Sequence, residues 1–332
     1  MTLHPMVRWA LWPLSLLYGE AMRLRAWLYA HRLLKRRRLN RPVISVGNLT
    51  VGGTGKTPVV LWLAERLLAE GRRVAILSRG YKGSRGTSDE VEMLKCRLRE
   101  RASFGVGPNR FEQGKPLEPE VDVFLLDDGF QHLQLARDAD LLLIDASRSL
   151  SRERMLPVGR LREPVAGMAR ADFLILTRTE TFPGTRTAAE KLGEHPVFCA
   201  ATRLLGYRRH GAGTGLVRSE ELDAGPYYAF CGIGNPRAFF QDLRNWNVPV
   251  VGTCEFADHH RYDVRDLREL ASAARATGAR ALLTTEKDSQ NLPDVLSAEL
   301  PLYVAVIEFS IHPEQKLLAA LHEKLRAGSS VR

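Results

Sequence analysis

Lys56 and Thr57 close the run Gly52-Gly53-Thr54-Gly55-Lys56-Thr57-Pro58, and these residue types in this order can hold a polyphosphate. Glycine lets a backbone wrap closely around phosphate oxygens with successive N–H groups pointing inward. The lysine adds charge toward the β- and γ-phosphates, and the threonine hydroxyl is a ligand for Mg²⁺. The run follows the apolar stretch Val43-Ile44-Ser45-Val46 and precedes a helical pattern of Val59, Leu61, Leu63, Ala64, Leu67 and Leu68. Strand, glycine-rich loop and helix is the context such a loop needs, because a helix N-terminus adds partial positive charge. Pro58 suits a first helical turn, where a missing N–H costs nothing. The strict pattern G-x-x-x-x-G-K-S/T has its first glycine where this chain carries Thr50. Thr50, Gly52, Gly53, Thr54, Gly55, Lys56 and Thr57 therefore form the expected nucleotide loop with one departure, and a plain glycine-rich turn is the competing reading. The loop implies a nucleoside triphosphate and leaves the phosphate acceptor open.

Other residues could complete the chemistry. An apolar stretch over residues 121–126 ends in Asp127-Asp128. Carboxylates at the C-terminal end of a parallel strand face the phosphate crevice, where they can hold Mg²⁺ directly or through water. The following Gly129 also permits a simple exposed turn. Leu156-Pro157-Val158-Gly159-Arg160-Leu161-Arg162-Glu163-Pro164 is a Pro- and Gly-framed cationic loop suited to phosphate groups, though surface arginines are common. Ser78-Arg79-Gly80-Tyr81-Lys82-Gly83 is a basic segment at a strand end, and Asp89-Glu90 follows it. Asp89 can accept a proton or cap the helix behind it. Asp258-His259-His260 reads as a catalytic pair, metal ligands or a capped turn. One Asp and two adjacent His without a third ligand cluster argue against metal.

These residues need a scaffold. Strand-like runs at 43–46, 74–77, 121–126, 141–144 and 173–176 alternate with helical patterns, one of them reaching from Asp89 to about Arg101. Such alternation predicts an α/β fold with a P-loop NTPase-type parallel sheet covered on both faces. Between 181 and 225 many Gly, Thr and Arg residues loosen the pattern. Strands at 227–230, 250–251, 281–284 and 302–307, with helices over 237–246 and at the end, then resume it. The expected organisation is an N-terminal amphipathic helix within 1–40, a P-loop core over 41–220 and a smaller C-terminal α/β domain over 221–332.

A chain that is 45% hydrophobic and 26% charged can bury a sizeable core. Its net charge of +10 selects anionic partners: nucleotide, phospholipid surface, acidic lipid or nucleic acid. Cys96, Cys199, Cys231 and Cys254 show no C-x-x-C spacing. That argues against zinc and a disulfide framework and fits a reducing cytosol. Residues 9–18 form an uncharged apolar run half as long as the ~20 residues a helical span needs. Trp9, Trp12, Tyr18, Trp27 and Tyr29 interleave with Arg8, Arg23, Arg25 and His31, and the segment ends in Arg32 and Lys35-Arg36-Arg37-Arg38. That mixture suits a helix lying in the surface of an anionic membrane. A core-packing helix with a solvated basic end, a cleaved signal peptide and a nucleic-acid arm compete with it. The basic cluster after the apolar run, without a small-x-small site, speaks against the signal peptide.

In order along the chain, these motifs resemble the tetraacyldisaccharide 4′-kinases, the lipid A 4′-kinases of Gram-negative bacteria. The series starts with Val46-Gly47-Asn48-Leu49-Thr50-Val51 running into the glycine loop and Lys56-Thr57-Pro58. Leu77-Ser78-Arg79-Gly80-Tyr81, Ser88-Asp89-Glu90, Asp127-Asp128-Gly129-Phe130-Gln131-His132 and the 156–164 loop follow. Phe256-Ala257-Asp258-His259-His260 and Thr285-Glu286-Lys287-Asp288 complete it, so the resemblance covers most of the chain. The Thr at position 50 is itself a feature of that family. Val91 and Arg160 stand where its members usually carry proline.

The resemblance implies transfer of the ATP γ-phosphate to the 4′-hydroxyl of a tetraacylated glucosamine disaccharide 1-phosphate, with ATP and Mg²⁺ as cofactors. It implies a P-loop kinase core, a smaller C-terminal domain and an N-terminal helix touching the bilayer. By position, Lys56 and Thr57 serve the phosphates and Mg²⁺, and Thr57, Asp127 and Asp128 serve the metal. Asp89 matches the catalytic carboxylate and His259 its histidine partner, with His260 beside it leaving open which imidazole acts. Arg162 and Glu163 match active-site loop residues. The implied partners are a lipid disaccharide and an anionic membrane surface, with no nucleic acid and no obligate protein partner. The implied location is the cytoplasmic face of the bacterial inner membrane, peripheral or monotopic. The alternative function is a P-loop GTPase or transport ATPase at the membrane surface. A GTPase should carry D-x-x-G and N-K-x-D. Asp127-Asp128-Gly129 has the wrong spacing for the first, and Thr285-Glu286-Lys287-Asp288 lacks the order of the second. A non-enzymatic, nucleotide-regulated membrane or nucleic-acid binder is a third reading, carried by the net charge.

Overall fold

The computed structural model describes residues 5–80, 89–179, 195–211, 215–217, 225–293 and 300–329. The chain divides into two compact units. Residues 1–80, 97–201 and 310–332 form the first, and residues 81–96 and 202–309 form the second.

The first unit is a parallel sheet. Its strands are β1 (Val43–Asn48), β2 (Val74–Ser78), β3 (Ala102–Val106), β4 (Val123–Asp127), β5 (Ala139–Asp145), β6 (Phe173–Thr177) and the start of β7 (Val197–Arg209). They lie in the order β7-β6-β5-β1-β4-β2-β3, every neighbour parallel. β1, β2, β4, β5 and β6 are buried along their whole length, which is why they read as apolar runs rather than alternations. The register pairs Val46 with Asp127, so the carboxylate that ends β4 lies beside the end of β1. Gly47 is required there: a Cβ on it would sit 2.6 Å from Phe130 Cβ. The helix α2 (Lys56–Ala69) follows β1 and buries Val60, Leu63, Ala64 and Leu67.

β3 is an edge strand that the sequence pattern hides. Its sequence Ala-Ser-Phe-Gly-Val carries no clean alternation, and the helix before it, α3 (Asp89–Leu98), ends sooner than Arg101. Val91, at a position where proline was the family expectation, is fully buried in α3.

In the second unit the parallel strands β9 (Tyr227–Cys231), β10 (Val250–Glu255), β11 (Ala281–Thr285) and β12 (Leu302–His312) lie in the order β10-β9-β11-β12. The short β8 (Leu216–Val217) pairs antiparallel with the end of β7. A short helix α4 (Arg110–Gly114) belongs to the first unit; α5 (Pro236–Asn245), α6 (Val264–Ala276) and the single turn α7 (Glu286–Ser289) belong to the second. α6 begins in a capping box, with the Asp263 carboxylate accepting from the Asp266 N–H and Asp266 reaching back to the Asp263 N–H. One core of this unit packs Tyr207, Tyr227, Phe239, Phe240 and Leu243.

The observed division differs from the expected boundary at 220/221. The chain enters the second unit first at residue 81, and its last helix α8 (Glu314–Ser329) belongs to the first. Leu317 and Leu321 of α8 are fully buried, and Glu314 pairs with Arg66 at 2.7 Å and Lys324 with Asp172 at 2.7 Å. β7 falls in the stretch that looked irregular. Most of its positions are partly exposed, so neither an apolar run nor a strict alternation marks it. Residues 180–194, 212–214 and 218–224 of that stretch, and Tyr81, Lys82, Gly83 and Ser88 of the quoted motifs, lie outside the described residues.

The N-terminal helix α1 (Pro5–Ala30) has 26 residues, about 39 Å at 1.5 Å per residue. Among the described residues no helix is long and apolar enough to cross a membrane. One stripe of α1 docks on the first unit. Ser15 Oγ donates to the Met155 carbonyl at 2.8 Å, Tyr18 OH to the Arg162 carbonyl at 2.8 Å, and Arg25 to the Gln131 carbonyl at 3.1 Å. Tyr29 is buried. Away from that stripe Trp9 is 79% exposed and Leu17 67%, with Leu14, Leu16, Leu24 and Trp27 also exposed. The core-packing expectation therefore describes one side of the helix, and the other side presents exposed Trp and Leu side chains.

Candidate functional site

The glycine loop is built where its sequence predicts. Gly52 has φ 106° and Gly55 φ 83°, the left-handed region that only glycine enters without strain. Gly55 caps α2, so Lys56 and Thr57 open the helix. Asn48, the last residue of β1, donates to Thr54 Oγ1 at 2.8 Å and accepts from Lys56 Nζ at 3.3 Å. Thr50 forms an extended bridge with Leu161 of the basic loop. Around it, Val51 N–H donates to the Arg160 carbonyl and Arg162 N–H to the Leu49 carbonyl, both at 2.8 Å. Arg160 then clamps the Val51 carbonyl through Nε and Nη2 at 3.0 and 2.6 Å. The loop start is thus pinned as extended backbone by residues 160–162, which is why it needs no glycine at position 50. Arg160 has its own bonding role in place of the proline.

The carboxylates that follow β4 divide their work. Asp127 is buried, with Ser78 Oγ 3.4 Å from its carboxylate. Asp128 has φ 51° and accepts from Arg162 Nη1 at 2.7 and 2.9 Å, with Lys56 Nζ 3.4 Å away. Burial pushes the Asp128 carboxyl up, but the charges of Lys56 and then Arg162 outweigh it and hold it below the usual carboxylate range. Glu163 is buried and accepts from Gln131 Nε2 at 2.7 Å and Arg170 Nη2 at 2.8 Å. Gln131 also donates to the Asn48 carbonyl at 2.7 Å, which ties this pair to the end of β1. The first unit thus gathers Asn48, Lys56, Thr57, Asp127, Asp128, Gln131, Arg162, Glu163 and Arg170 around the phosphate loop.

This donor set fits Mg²⁺. Thr57, Asp127 and Asp128 offer only hard oxygen ligands, and Mg²⁺ binds through one or two carboxylates together with substrate phosphates. Among the described residues no group of three or more His, Cys, Asp or Glu could hold a metal by itself. An ion held here through Thr57, Asp127 and Asp128 would complete its shell with water and phosphate oxygens.

The second unit contains the other predicted pair. Asp89, at the start of α3, is buried, and His259 Nδ1 lies 2.8 Å from its Oδ2. Asn291 Nδ2 donates to the same oxygen at 2.9 Å. Burial pushes Asp89 up, but the His259 and Asn291 hydrogen bonds and the His259 and Lys287 charges hold it below its ordinary value. The Asp89 hydrogen bond raises His259 above its ordinary value, against burial and the Lys287 charge. Lys287 bridges Glu90 and Asp258 at 3.1 Å each and lies 3.4 Å from His259 Nε2. Asp288 anchors the segment from behind, accepting from Gly232 N–H at 2.8 Å, Tyr262 OH at 2.9 Å and Thr285 Oγ1 at 2.6 Å.

The three readings of Asp258-His259-His260 now separate. His259 belongs to the carboxylate pair. His260 bonds Asp266 at 2.8 Å and stacks on Phe256 with ring centroids 4.5 Å apart, a packing role within this unit. Sequence reasoning did not single out Asn48, Gln131, Arg170, Lys287 or Asn291 as site residues. Asn48, Gln131 and Lys287 stand inside the motifs, where their polarity beside the chemistry-bearing residues was the available signal. Asn291 and Arg170 carry no local signal.

The pair's protonation has a sign that can be tested. His259, raised, stabilises the fold below the ordinary imidazole pKa and loses that contribution as pH rises through its raised value. Asp89, lowered, stabilises it above the ordinary carboxylate pKa and loses that contribution as pH falls through its lowered value. The ion pair is complete between those limits. In His259→Gln the Asp89 carboxyl loses a charged donor and rises, so the acid limb of a kcat/KM profile should move to higher pH. An acid limb that stays in place would separate His259 from the titration of Asp89.

A family model described as Tetraacyldisaccharide-1-P 4'-kinase matches residues 7–326 of the chain. The tetraacyldisaccharide 4′-kinase of Geobacter metallireducens is 39% identical over 341 aligned residues, covering 94% of this chain and 96% of its own. That of Pelobacter propionicus is 40% identical over 320, covering 88% of each. Among solved structures, LpxK from Aquifex aeolicus, described as an "apo" form in complex with ATP, superposes with a TM-score of 0.77 at 29% identity. That match covers 96% of this chain and 99% of the other.

Proposed function

The chain belongs to the tetraacyldisaccharide 4′-kinase family, the ATP-using kinases of lipid A synthesis, and from that premise we propose a division of labour between its two units. The first unit holds the donor nucleotide. Backbone N–H groups of residues 52–57 cradle the phosphates, and Lys56 meets the β- and γ-phosphates. Thr57 and Asp127 would hold Mg²⁺, which would neutralise phosphate charge. Asp128 holds Lys56 and Arg162 in place until phosphate oxygens take over those cations. Arg162, freed in part from Asp128, then offsets charge on the transferring phosphoryl group. Glu163 keeps Gln131 and Arg170 oriented beside the loop.

The second unit activates the acceptor. Asp89 accepts or orients the proton of the sugar 4′-hydroxyl, and His259 keeps its carboxylate ionised. Lys287, fixed between Glu90 and Asp258, keeps the His259 ring turned toward Asp89. The observation that carries this reading over a GTPase or transport ATPase is the buried Asp89 held ionised by His259 and Asn291. Such a base suits an alcohol acceptor. The test is incubation of purified protein with a tetraacyldisaccharide 1-phosphate in neutral detergent micelles, with ATP or GTP. ATP consumption that depends on the lipid, with one phosphate added to it, is the expected result. Nucleotide hydrolysis indifferent to the lipid, or preference for GTP, would sink the reading.

We further propose that the exposed side of α1 lies in an anionic membrane surface, at the cytoplasmic face of the bacterial inner membrane where ATP is present. Removing the whole helix would also remove the bonds to Met155, Arg162 and Gln131, so exposed side chains are the cleaner test. Trp9→Ser, Leu17→Gln and Leu24→Gln together should lower sedimentation with anionic vesicles by about 10-fold or more. The melting temperature should hold. Unchanged sedimentation would refute the interfacial role.

A further inference from the structure

An open cavity of about 630 Å³ lies at the C-terminal end of α1, lined among others by Tyr29, Arg32, Lys35, Arg36, Arg38 and Arg137. Two of these cations are offset within the fold. Arg38 pairs with Asp138 at 3.0 Å and Arg137 with Asp140 at 2.9 Å. Arg32, Lys35 and Arg36 line the cavity with no carboxylate within salt-bridge distance among the described residues. Arg36 stands over the Tyr29 ring at 5.8 Å, which fixes its guanidinium against the cavity wall. Burial first, then the charges of Arg137 and Arg170, lower the Arg36 pKa, and the Asp140 carboxylate offsets them only in part.

The backbone adds an independent observation. Arg32, two residues beyond the end of α1, has φ 61°, a conformation that glycine adopts without strain. A cation is kept there at a conformational cost. The rim is apolar: Leu34 lines the cavity and the neighbouring Leu33 is exposed. The cavity also communicates with the phosphate cluster through one short loop. Arg137 donates to the His132 carbonyl, and the adjoining Gln131 takes Arg25 on its carbonyl and gives its side chain to Glu163.

We propose that this cavity is a lipid-phosphate site, in which Arg32, Lys35 and Arg36 bind a phosphate mono- or diester while Leu33 and Leu34 meet its acyl chains. It rests on the kinase reading only for one of its two sources, the 1-phosphate of the acceptor itself. The other source is an anionic phospholipid of the bilayer. Three charge-assisted bonds to one phosphate are the kind of contact that discriminates strongly against a neutral lipid.

The experiment uses the full chain with Arg32→Gly, Lys35→Gln and Arg36→Gln combined. Glycine suits the positive φ at 32, so the turn survives the change. A control, Arg265→Gln, Arg268→Gln and Arg275→Gln on α6, removes the same charge elsewhere. In neutral detergent micelles, an acceptor KM raised about 10-fold or more, with kcat and the KM for ATP within about two-fold, assigns the acceptor's 1-phosphate. A second arm measures binding to phosphatidylcholine vesicles with and without roughly 20% phosphatidylglycerol. Loss of the anionic preference in the triple variant, but not in the control, assigns the bilayer phospholipid. No change in either arm, or equal changes in variant and control, overturns the site. Should the wild type phosphorylate no lipid, the kinase reading fails, and the vesicle arm still reports on the cavity.

Discussion

Asp89→Asn is expected to lower kcat by about 10²–10⁴-fold while leaving the KM for ATP within about two-fold. The substitution keeps the shape of the side chain and removes its charge. The Asn291 amide can still bond the remaining carbonyl oxygen, so the fold around α3 should persist. What is lost is an acceptor for the hydroxyl proton and the partner that raises His259. The imidazole should then titrate at lower pH than in the native chain, which NMR of its ring protons can follow. A variant with normal melting temperature, a lowered histidine pKa and near-native kcat would show that Asp89 positions His259 without serving as base. A variant that loses kcat with ATP binding intact supports proton acceptance at this carboxylate.

Lys56→Ala should reduce kcat/KM for ATP by about 10²–10³-fold, the scale of losing one charged group aimed at phosphoryl oxygens. Lys56 reaches Asn48 at 3.3 Å and Asp128 at 3.4 Å, so it is already held over the loop without nucleotide. Removal leaves Asp128 paired with Arg162 at 2.7 Å. The Asp128 carboxyl should rise as its largest favourable neighbour disappears. Lys56→Arg should rescue poorly, because a planar guanidinium cannot occupy the place of a compact ammonium between Asn48 and Asp128. Near-native nucleotide affinity in Lys56→Ala, measured by calorimetry, would remove Lys56 from the phosphate site.

The donor half of the site was legible because its chemistry is local. Gly52, Gly55, Lys56 and Thr57 are consecutive positions whose backbone and charge requirements leave a pattern in the sequence. The fully buried strands were legible for the same reason, as continuous apolar runs. The cluster of Asp89, His259 and Asn291 depends on contacts between residues far apart in the chain. Asp89 and His259 are 170 positions apart, and Asn291 is 202 from Asp89, so only the family resemblance joined the first two and nothing announced the third. Thr50 shows the converse. It departs from a general motif because residues 160–162 pair with the loop start, a non-local cause invisible in the motif. The discontinuous units escaped reading because β7 lacks a clean period and α8 returns to a unit begun three hundred residues earlier.

The central claim is transfer of one phosphoryl group from ATP to a lipid hydroxyl, and a single-turnover experiment addresses it most directly. Enzyme in excess over γ-labelled ATP would be mixed with tetraacyldisaccharide 1-phosphate in neutral micelles, and the label partitioned between lipid and water. The account predicts label on the lipid in equal amount to ADP formed, at a rate that Asp89→Asn lowers by about 10²–10⁴-fold. Label released as inorganic phosphate, with the lipid unlabelled, would contradict it.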